Sequence, residues 1–491
     1  MERIIGILEI NGPLLSGDLA RRLEEKFAIS AVAARKIISR SGKPVRRLYN
    51  LNFDNNQKFF YLDSQFGTQD FFDKLLEILR TSSKAYYAFI NAMLFHNGYI
   101  NKNQLPGYSF SPIKPLKGHR NAQSIIEELL KSKIIINYNE EVYQLDPSMI
   151  NKDNYSRFKA IEIAKKITLD HFNEWTRKTN SISYNTAKFS DDTPEFYNFQ
   201  WSFTAPSYLG VEAYKNLKPS SFMVADILFG EQIEESDIDY LLKKIKIIYH
   251  AKNSSRLIPV IIFDQGISEE ALNLLKKTGI MLGFVDHLFG NKYSEILKTL
   301  ISVMENASAI ISKNPDEYLK LMGMLTDLTG KSHNIKGDLF ELAVGYYYSF
   351  STKYLLINKE IKDPKTQRSK EIDVFAKGHN NEVVIIECKG YGYSLDVEYV
   401  HKWLTDNIPT IRNWLANQDE YANHKQIFEI WSTGGFSKEA KELLDDRINS
   451  TKKYTIRYLG REEIIKAAKE IGNQNLQKII KDYFPPKEVC L

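Results

Sequence analysis

Two decapeptides far apart in the chain are near copies of one another. Residues 266–275 read GISEEALNLL and residues 435–444 read GFSKEAKELL, with Gly266/Gly435, Ser268/Ser437, Glu270/Glu439, Ala271/Ala440, Leu274/Leu443 and Leu275/Leu444 identical. Each follows a strand-like apolar run (259–263 and 427–431) and leads through a helical stretch to another (279–285 and 454–459). Further upstream stand FMVADILFG (222–230) and VVIIECKG (383–390), two more strand-like runs that end in glycine. An order of strand, helix, strand, helix, strand therefore occurs twice, which predicts a duplicated α/β core.

The rest of the 491 residues has room for more than this pair, at roughly 150 residues per domain. Apolar residues make up 43% and charged residues 26%, an ordinary globular mix that excludes global disorder. No run of about 20 apolar residues is present, so a membrane-spanning helix is not expected, and MERIIGILEINGPLLSGD does not read as a secretory leader. The two cysteines, Cys388 and Cys490, exclude a disulfide scaffold or a zinc cluster and suit a reducing cytoplasm. The expected location is therefore cytoplasmic, with no membrane partner.

The net charge is +5. Residues 1–62 carry 11 Lys and Arg against 6 Asp and Glu, so the whole excess lies in this one segment. The segment reads as helix, helix, helix, hairpin. Asn11-Gly12-Pro13 ends the first helix, Ser16 is placed to cap the second through Phe27, and Ser30 is placed to cap the third, 31–41. Residues 45–51 and 58–62 read as a hairpin around Asp54-Asn55-Asn56. This order resembles a winged helix-turn-helix domain. Arg35, Lys36 and Arg40 would face outward, and Arg46 and Arg47 lie at the foot of the wing, as a DNA-contacting surface requires. The plainer reading is a protein-contact domain with solvated cations.

Residues 69–146 resemble a second copy, with helices at 85–96, 101–105 and 121–132 and a wing at 134–138 and 142–145. The Asn139-Glu140-Glu141 tip is acidic and disfavours phosphate, so a structural role is expected. Residues 155–178 read as a long amphipathic connecting helix.

Acids and one lysine follow in an informative order in the second α/β copy. Glu341 lies in the helical stretch IKGDLFELAVGYYY, Glu371 and Asp373 in EIDVFA, and Glu387 and Lys389 in VVIIECKG. Strand alternation puts Glu371 with Asp373 on one face, about 6.6 Å apart, and Glu387 with Lys389 on one face, with Cys388 pointing the other way. If the two strands form a hairpin through 377–381, Asp373 and Glu387 converge. Val383-Val384-Ile385-Ile386 is apolar on both faces and should be central in its sheet. Charges at the end of such a strand are costly unless paired or bound to metal.

Over residues 330–465 the chain resembles the PD-(D/E)xK nuclease superfamily, particularly its Mrr-like restriction-endonuclease branch. The residues that carry the resemblance are Glu341, Asp373, the Glu387/Lys389 pair and the trailing GFSKEA. It implies hydrolysis of a nucleic-acid backbone with Mg²⁺ or Mn²⁺. Asp373 and Glu387 would bind the metal, Glu341 would complete the site, and Lys389 would assist attack. It also implies a role in bacterial restriction or anti-phage defence, a homodimer if both strands are cut, and an activating subunit in some systems. Glu371 pairs instead with Lys or Arg in the plainer reading. Lys359, Lys362, Lys365, Arg368 and Lys370 crowd the loop before Asp373 and read either as a solvated run or as a phosphate clamp. His401 and Lys402 follow on the next helix.

In the first copy, setting Gly230 on Gly390 places Ile227 at Glu387 and Phe229 at Lys389, so no ExK pair is expected there. The sequence thus predicts an α/β multidomain chain: a basic winged helix (1–66), a second winged helix (67–150), a connector with a degenerate restriction-endonuclease-like α/β domain (151–305), and a C-terminal PD-(D/E)xK α/β nuclease core (306–491). The competing readings are a non-cleaving DNA-binding or scaffold subunit of a defence complex, and an RNA nuclease. Gly330-Lys331-Ser332 lacks the leading glycine and strand of a phosphate-binding loop, and the nine histidines lack zinc-ligand spacing.

Overall fold

The structure is a computed structural model that describes residues 1–150, 155–209, 221–251, 256–306, 336–470 and 474–484, with positions 310, 317, 320, 321, 323–325 and 472. Gly330-Lys331-Ser332 and Cys490 lie outside the described residues. The chain is a multidomain α/β protein that divides into two compact units. One contains Met1–Phe158 and Asn173–Phe284, the other Lys159–Phe172 and Val285–Leu491.

In the first unit, helices Glu2–Asn11, Ser16–Phe27 and Ala31–Ser39 pack on a three-stranded antiparallel sheet. It is built from β1 (Leu14–Leu15), β2 (Val45–Arg47) and β3 (Phe59–Leu62), with β3 in the middle. Ile4, Ile7, Leu19, Leu23, Ala34, Ile38 and Phe60 close its core. Ser30 caps the third helix as expected, its Oγ accepting the Ala33 N–H. Ser16 does not cap the second. Strand β1 pairs Leu14 and Leu15 with Phe60 and Phe59, and this draws Ser16 to Lys58: the Ser16 N–H donates to the Lys58 carbonyl and its Oγ accepts the Lys58 N–H.

Helices Gln69–Ser82, Lys84–Phe95 and Ala122–Lys131 then enclose a second three-stranded sheet, β4 (Tyr99–Asn101), β5 (Ile135–Asn137) and β6 (Val142–Leu145). The short helix expected at 101–105 is absent. Tyr99–Asn101 is instead a strand paired with β6, and a single 3₁₀ turn follows at Leu105–Tyr108. Buried Tyr99 decides this, since it packs among Tyr138, Tyr155 and Phe158 and receives the Gln144 side-chain amide on its hydroxyl.

A sheet of five strands completes the first unit: β7 (Lys188–Phe189), then, beyond a small hairpin of β8 (Glu195–Phe196) and β9 (Phe199–Gln200), β10 (Phe203–Ser207), β11 (Ser221–Leu228), β12 (Arg256–Phe263) and β13 (Met281–Phe284). The order is β13-β12-β11-β10-β7, with β11, β12 and β13 parallel. The second unit has the same plan. Its strands β14 (Thr352–Lys362), β15 (Ser369–Gly378), β16 (Glu382–Lys389), β17 (Lys425–Ser432) and β18 (Thr455–Leu459) stand in sequence order, the last three parallel. Helix Lys336–Ser349 packs on β14, β15 and β16, and Val383–Ile386 is buried throughout, as a central strand demands.

The repeated decapeptide does the same work in both sheets. Ser268 and Ser437 cap their helices through the N–H of Ala271 and Ala440. Ile267 bridges Ile233, and Phe436 bridges Leu395, in both cases in parallel. Such caps are worth about 1 kcal/mol each.

One expected boundary moves. Residues 159–172 and 285–305, assigned by sequence to the first α/β domain, belong to the second unit. His171 explains this: its ring packs edge-on to Tyr293 at 5.1 Å and beside Phe289, so the connecting helix Tyr155–Lys178 and helix Asn291–Glu305 cohere there. Among the described residues no helix is long and apolar enough to cross a membrane.

Candidate functional site

Strands β15 and β16 are antiparallel neighbours, with Val374 opposite Ile386, so their ends carry Asp373 and Glu387 to one place. The Cys388 N–H donates to Asp373 Oδ2 at 2.7 Å. Lys389 Nζ donates to Glu387 Oε1 at 2.8 Å and reaches Asp373 Oδ2 at 3.5 Å. The Tyr399 hydroxyl, from helix Val397–Lys402, donates to Glu387 Oε1 at 2.6 Å. Three of the four expected catalytic residues thus share one hydrogen-bonded cluster.

The charges are set by burial and by one another. Burial pushes the Asp373 carboxyl up to about 7, against the pull of Lys389 and with a push from Glu387 and Glu371. Burial also opposes ionisation of Glu387, but the Lys389 ammonium and the hydrogen bonds from Lys389, Tyr399 and Asn407 outweigh it and hold the carboxyl below its usual range. The Lys389 ammonium is disfavoured by burial and more strongly favoured by Asp373 and Glu387, so it stays charged well beyond the usual lysine range. The buried Cys388 thiol is pushed far up and carries no nucleophile.

Glu341 enters the site through a residue the sequence did not single out. Lys159, from the connecting helix, is hydrogen-bonded to Glu371 and lies 4.0 Å from Glu341 Oε2. Glu371 does find a lysine, as its plainer reading held, and it does not follow Asp373 to Glu387. The expected alternation fails between them. Ile372 and Phe375, an odd number of residues apart, enter the same core cluster, so alternation is broken between them. Across from this point Asn358 takes a left-handed conformation (φ 56°) between the pairs Ile357–Val374 and Lys359–Ile372. Its side-chain oxygen is buried without a hydrogen bond.

The cations before Asp373 have different surroundings. Lys359 is half-buried, its ammonium over the rings of Trp414 (5.1 Å) and Phe375 (5.6 Å). Arg368 and Lys370 both bind Asp406, at 3.1 and 2.7 Å. Lys362, Lys365 and Arg368 are exposed, and so are His401 and Lys402. In the first unit, Arg35, Lys36 and Arg40 are exposed on the Ala31–Ser39 helix and its C-terminal cap. Arg46 pairs with Asp63 at 2.6 Å, and Arg47 lies over the Tyr49 ring at 4.8 Å. Ser39, Lys43, Arg46, Arg47, Tyr49 and Phe60 line a cavity of about 240 Å³ between this helix and the hairpin.

The first sheet departs from the second at two of the three positions, and not as the glycine alignment proposed. Ile261 stands five residues before Gly266 and pairs with Asp226; Ile430 stands five before Gly435 and pairs with Glu387. Asp226 therefore holds the place of Glu387, Leu228 that of Lys389, and Ser202 that of Asp373. The glycine alignment fails because the loop to Leu395 is one residue longer than the loop to Ile233, and Gly230 has a positive φ that Gly390 lacks. Asp226 is sealed in, accepting from Ser202 N–H at 3.0 Å and from the fully buried Lys244 at 3.2 Å. Lys244 also donates to the Gly107 and Gln200 carbonyls, so its ammonium is used internally.

A metal in the second unit is tested by its donors. Among the described residues no three His, Cys, Asp or Glu side chains converge on one point in this conformation. Mg²⁺, however, commonly takes one or two protein carboxylates and completes its shell with water and substrate phosphate. The adjacent hard oxygens of Asp373 and Glu387 fit that pattern. Comparisons of the chain with protein-family models, with curated proteins and with solved structures found no match.

Proposed function

We propose that this protein is a metal-dependent DNA endonuclease whose C-terminal unit is a PD-(D/E)xK core. The observation that carries the reading is the meeting of Asp373, Glu387 and Lys389 at the ends of two adjacent strands, in a sheet whose twin keeps only one of the three. Asp373 and Glu387 would hold Mg²⁺ or Mn²⁺, which when bound polarises the phosphodiester and lowers the pKa of water. Lys389 keeps its proton and presents a positive charge where the phosphate oxygens become more negative. Tyr399 fixes the Glu387 carboxylate, and Lys159 holds Glu341 and Glu371 beside the site.

The remaining parts take roles consistent with this. Residues 1–66 form a winged helix that binds the DNA backbone through Arg35, Lys36 and Arg40, with Arg46 and Arg47 at the wing. Residues 67–150 form a second winged helix with a structural role. The first α/β domain is a degenerate nuclease fold whose buried ion pair stands where a site would be. A single centre cuts one strand, so duplex cleavage favours a homodimer. The setting is bacterial restriction or anti-phage defence, with an activating subunit where the chain alone is silent.

The test is plasmid cleavage with Mg²⁺ or Mn²⁺ by wild type beside Asp373→Ala and Lys389→Ala. Cutting by wild type alone supports the reading. DNA binding without cutting by any of the three points to a silent effector awaiting its activating subunit or to a non-cleaving scaffold subunit, and cleavage of RNA but not DNA to an RNA nuclease.

A further inference from the structure

Two residues beyond Lys389 the chain makes a short loop, and two tyrosines project from it. The rings of Tyr391 and Tyr393 are parallel within 8°, with centroids 4.9 Å apart. They are 36% and 56% exposed, so their rings are open to a ligand. Tyr391 lies within the electrostatic reach of Lys389, Asp373 and Glu387.

The loop is held, not loose. The Thr433 hydroxyl donates to the Tyr391 carbonyl at 2.8 Å, and the Thr433 N–H to the Lys389 carbonyl at 3.1 Å. Ser394 Oγ donates to the Gly434 carbonyl, and the Leu395 N–H to the Gly435 carbonyl. Gly434 packs so tightly under Tyr393 that a Cβ there would overlap the Tyr393 carbonyl. The corresponding loop of the first sheet, Phe229-Gly230-Glu231-Gln232, has no such pair, and its Phe229 is fully buried. The exposed stack therefore occurs in the copy that has the acids and lysine, and not in the copy without them.

We infer that Tyr391 and Tyr393 are a stacking platform for an unpaired base of the substrate strand, set next to the phosphate held at Asp373, Glu387 and Lys389. The inference rests on the nuclease reading for what the site does, and it narrows the substrate to nucleic acid that is single-stranded or opened at the point of attack. Rigid aromatic rings beside a cationic group are the usual means of holding unpaired bases without sequence preference, and every base offers a face to stack. A base within a duplex has both faces covered by its neighbours.

The experiment is binding, read separately from cleavage. The full chain is titrated, with EDTA present to prevent cutting, into a single-stranded oligonucleotide carrying 2-aminopurine and, in parallel, into the same sequence as a labelled duplex. Wild type should quench the 2-aminopurine. Tyr393→Ala and Tyr391→Ala should lose the quench and bind the single strand roughly tenfold more weakly, with duplex affinity unchanged. Tyr393→Trp should restore both. Quenching that survives both alanine variants, or an equal loss for single strand and duplex, overturns the platform. So does a wild type that binds only duplex. A stack that quenches in a protein that cuts nothing with Mg²⁺ or Mn²⁺ leaves the platform standing and counts against the chain alone as the nuclease, so the two failures are distinct.

Discussion

Asp226 and Glu387 occupy the same position in two sheets of one plan, each facing the isoleucine five residues before the repeated glycine-serine turn. Each is paired with a lysine, but in different surroundings. Asp226 is locked to Lys244 in the interior, 1% and 0% exposed. Glu387 is instead bound by Lys389 and by the Tyr399 hydroxyl, and in the proposed reading that lysine faces the substrate.

The buried pair should matter for stability and not for chemistry. Removing Lys244 leaves Asp226 charged and enclosed, a change that costs about 3–5 kcal/mol. Lys244→Ala should therefore lower the thermal unfolding midpoint of the full chain by several degrees. Asp226→Asn with Lys244→Met should recover most of that drop, because both charges go together.

The raised pKa of Asp373 gives the metal-free protein a pH signature. The unfolded chain releases that proton near 3.8 and the folded chain near 7. Between these values the folded state holds the extra proton, so this group's contribution to stability is full below about pH 4 and is lost as pH rises through about 7. Asp373→Asn should flatten the fall in stability over that window, measured by urea unfolding in EDTA at several pH values.

Lys159 supplies positive charge to Glu341 and Glu371; if Glu341 completes the proposed metal site, Lys159 competes with the divalent cation for it. Lys159→Ala should bind Mn²⁺ several-fold more tightly than wild type by calorimetry. Weaker binding would mean that Lys159 positions these carboxylates and does not compete for them.

Arg35, Lys36 and Arg40 are exposed on one helix and its cap. If each meets a phosphate, the triple alanine variant should weaken duplex binding. It should also reduce the slope of log affinity against log salt by about 0.9 for each phosphate no longer neutralised. Fluorescence anisotropy at several salt concentrations reads both. An unchanged slope would assign the basic excess of residues 1–62 to another role.

Local signals carry much of this structure. The Ser30 cap, the buried run 383–386 and the repeat are legible because each depends on residues close in sequence or on strand alternation. The convergence of Asp373 with Glu387 and Lys389 follows from one antiparallel pairing. What is not legible depends on distance or on a break in regularity. Lys159 reaches its acids from a helix far earlier in the chain, and nothing in the amphipathic pattern of residues 155–178 marks it. The break in alternation at Asn358 and Asp373 sets Glu371 against Lys159. The single extra residue in the Tyr391 loop shifts the comparison of the two copies by one position. Ser16 escapes its expected role because a two-residue strand has too little pattern to show.

The hydrogen bond that aims Asp373 comes from the main chain of Cys388. A side-chain donor can be removed by any of several single-nucleotide changes, but an amide hydrogen is present in nineteen of the twenty amino acids. Position 388 is thus free to vary in size and polarity as far as packing allows, while the aspartate beside it keeps its orientation, and only proline would take the donor away.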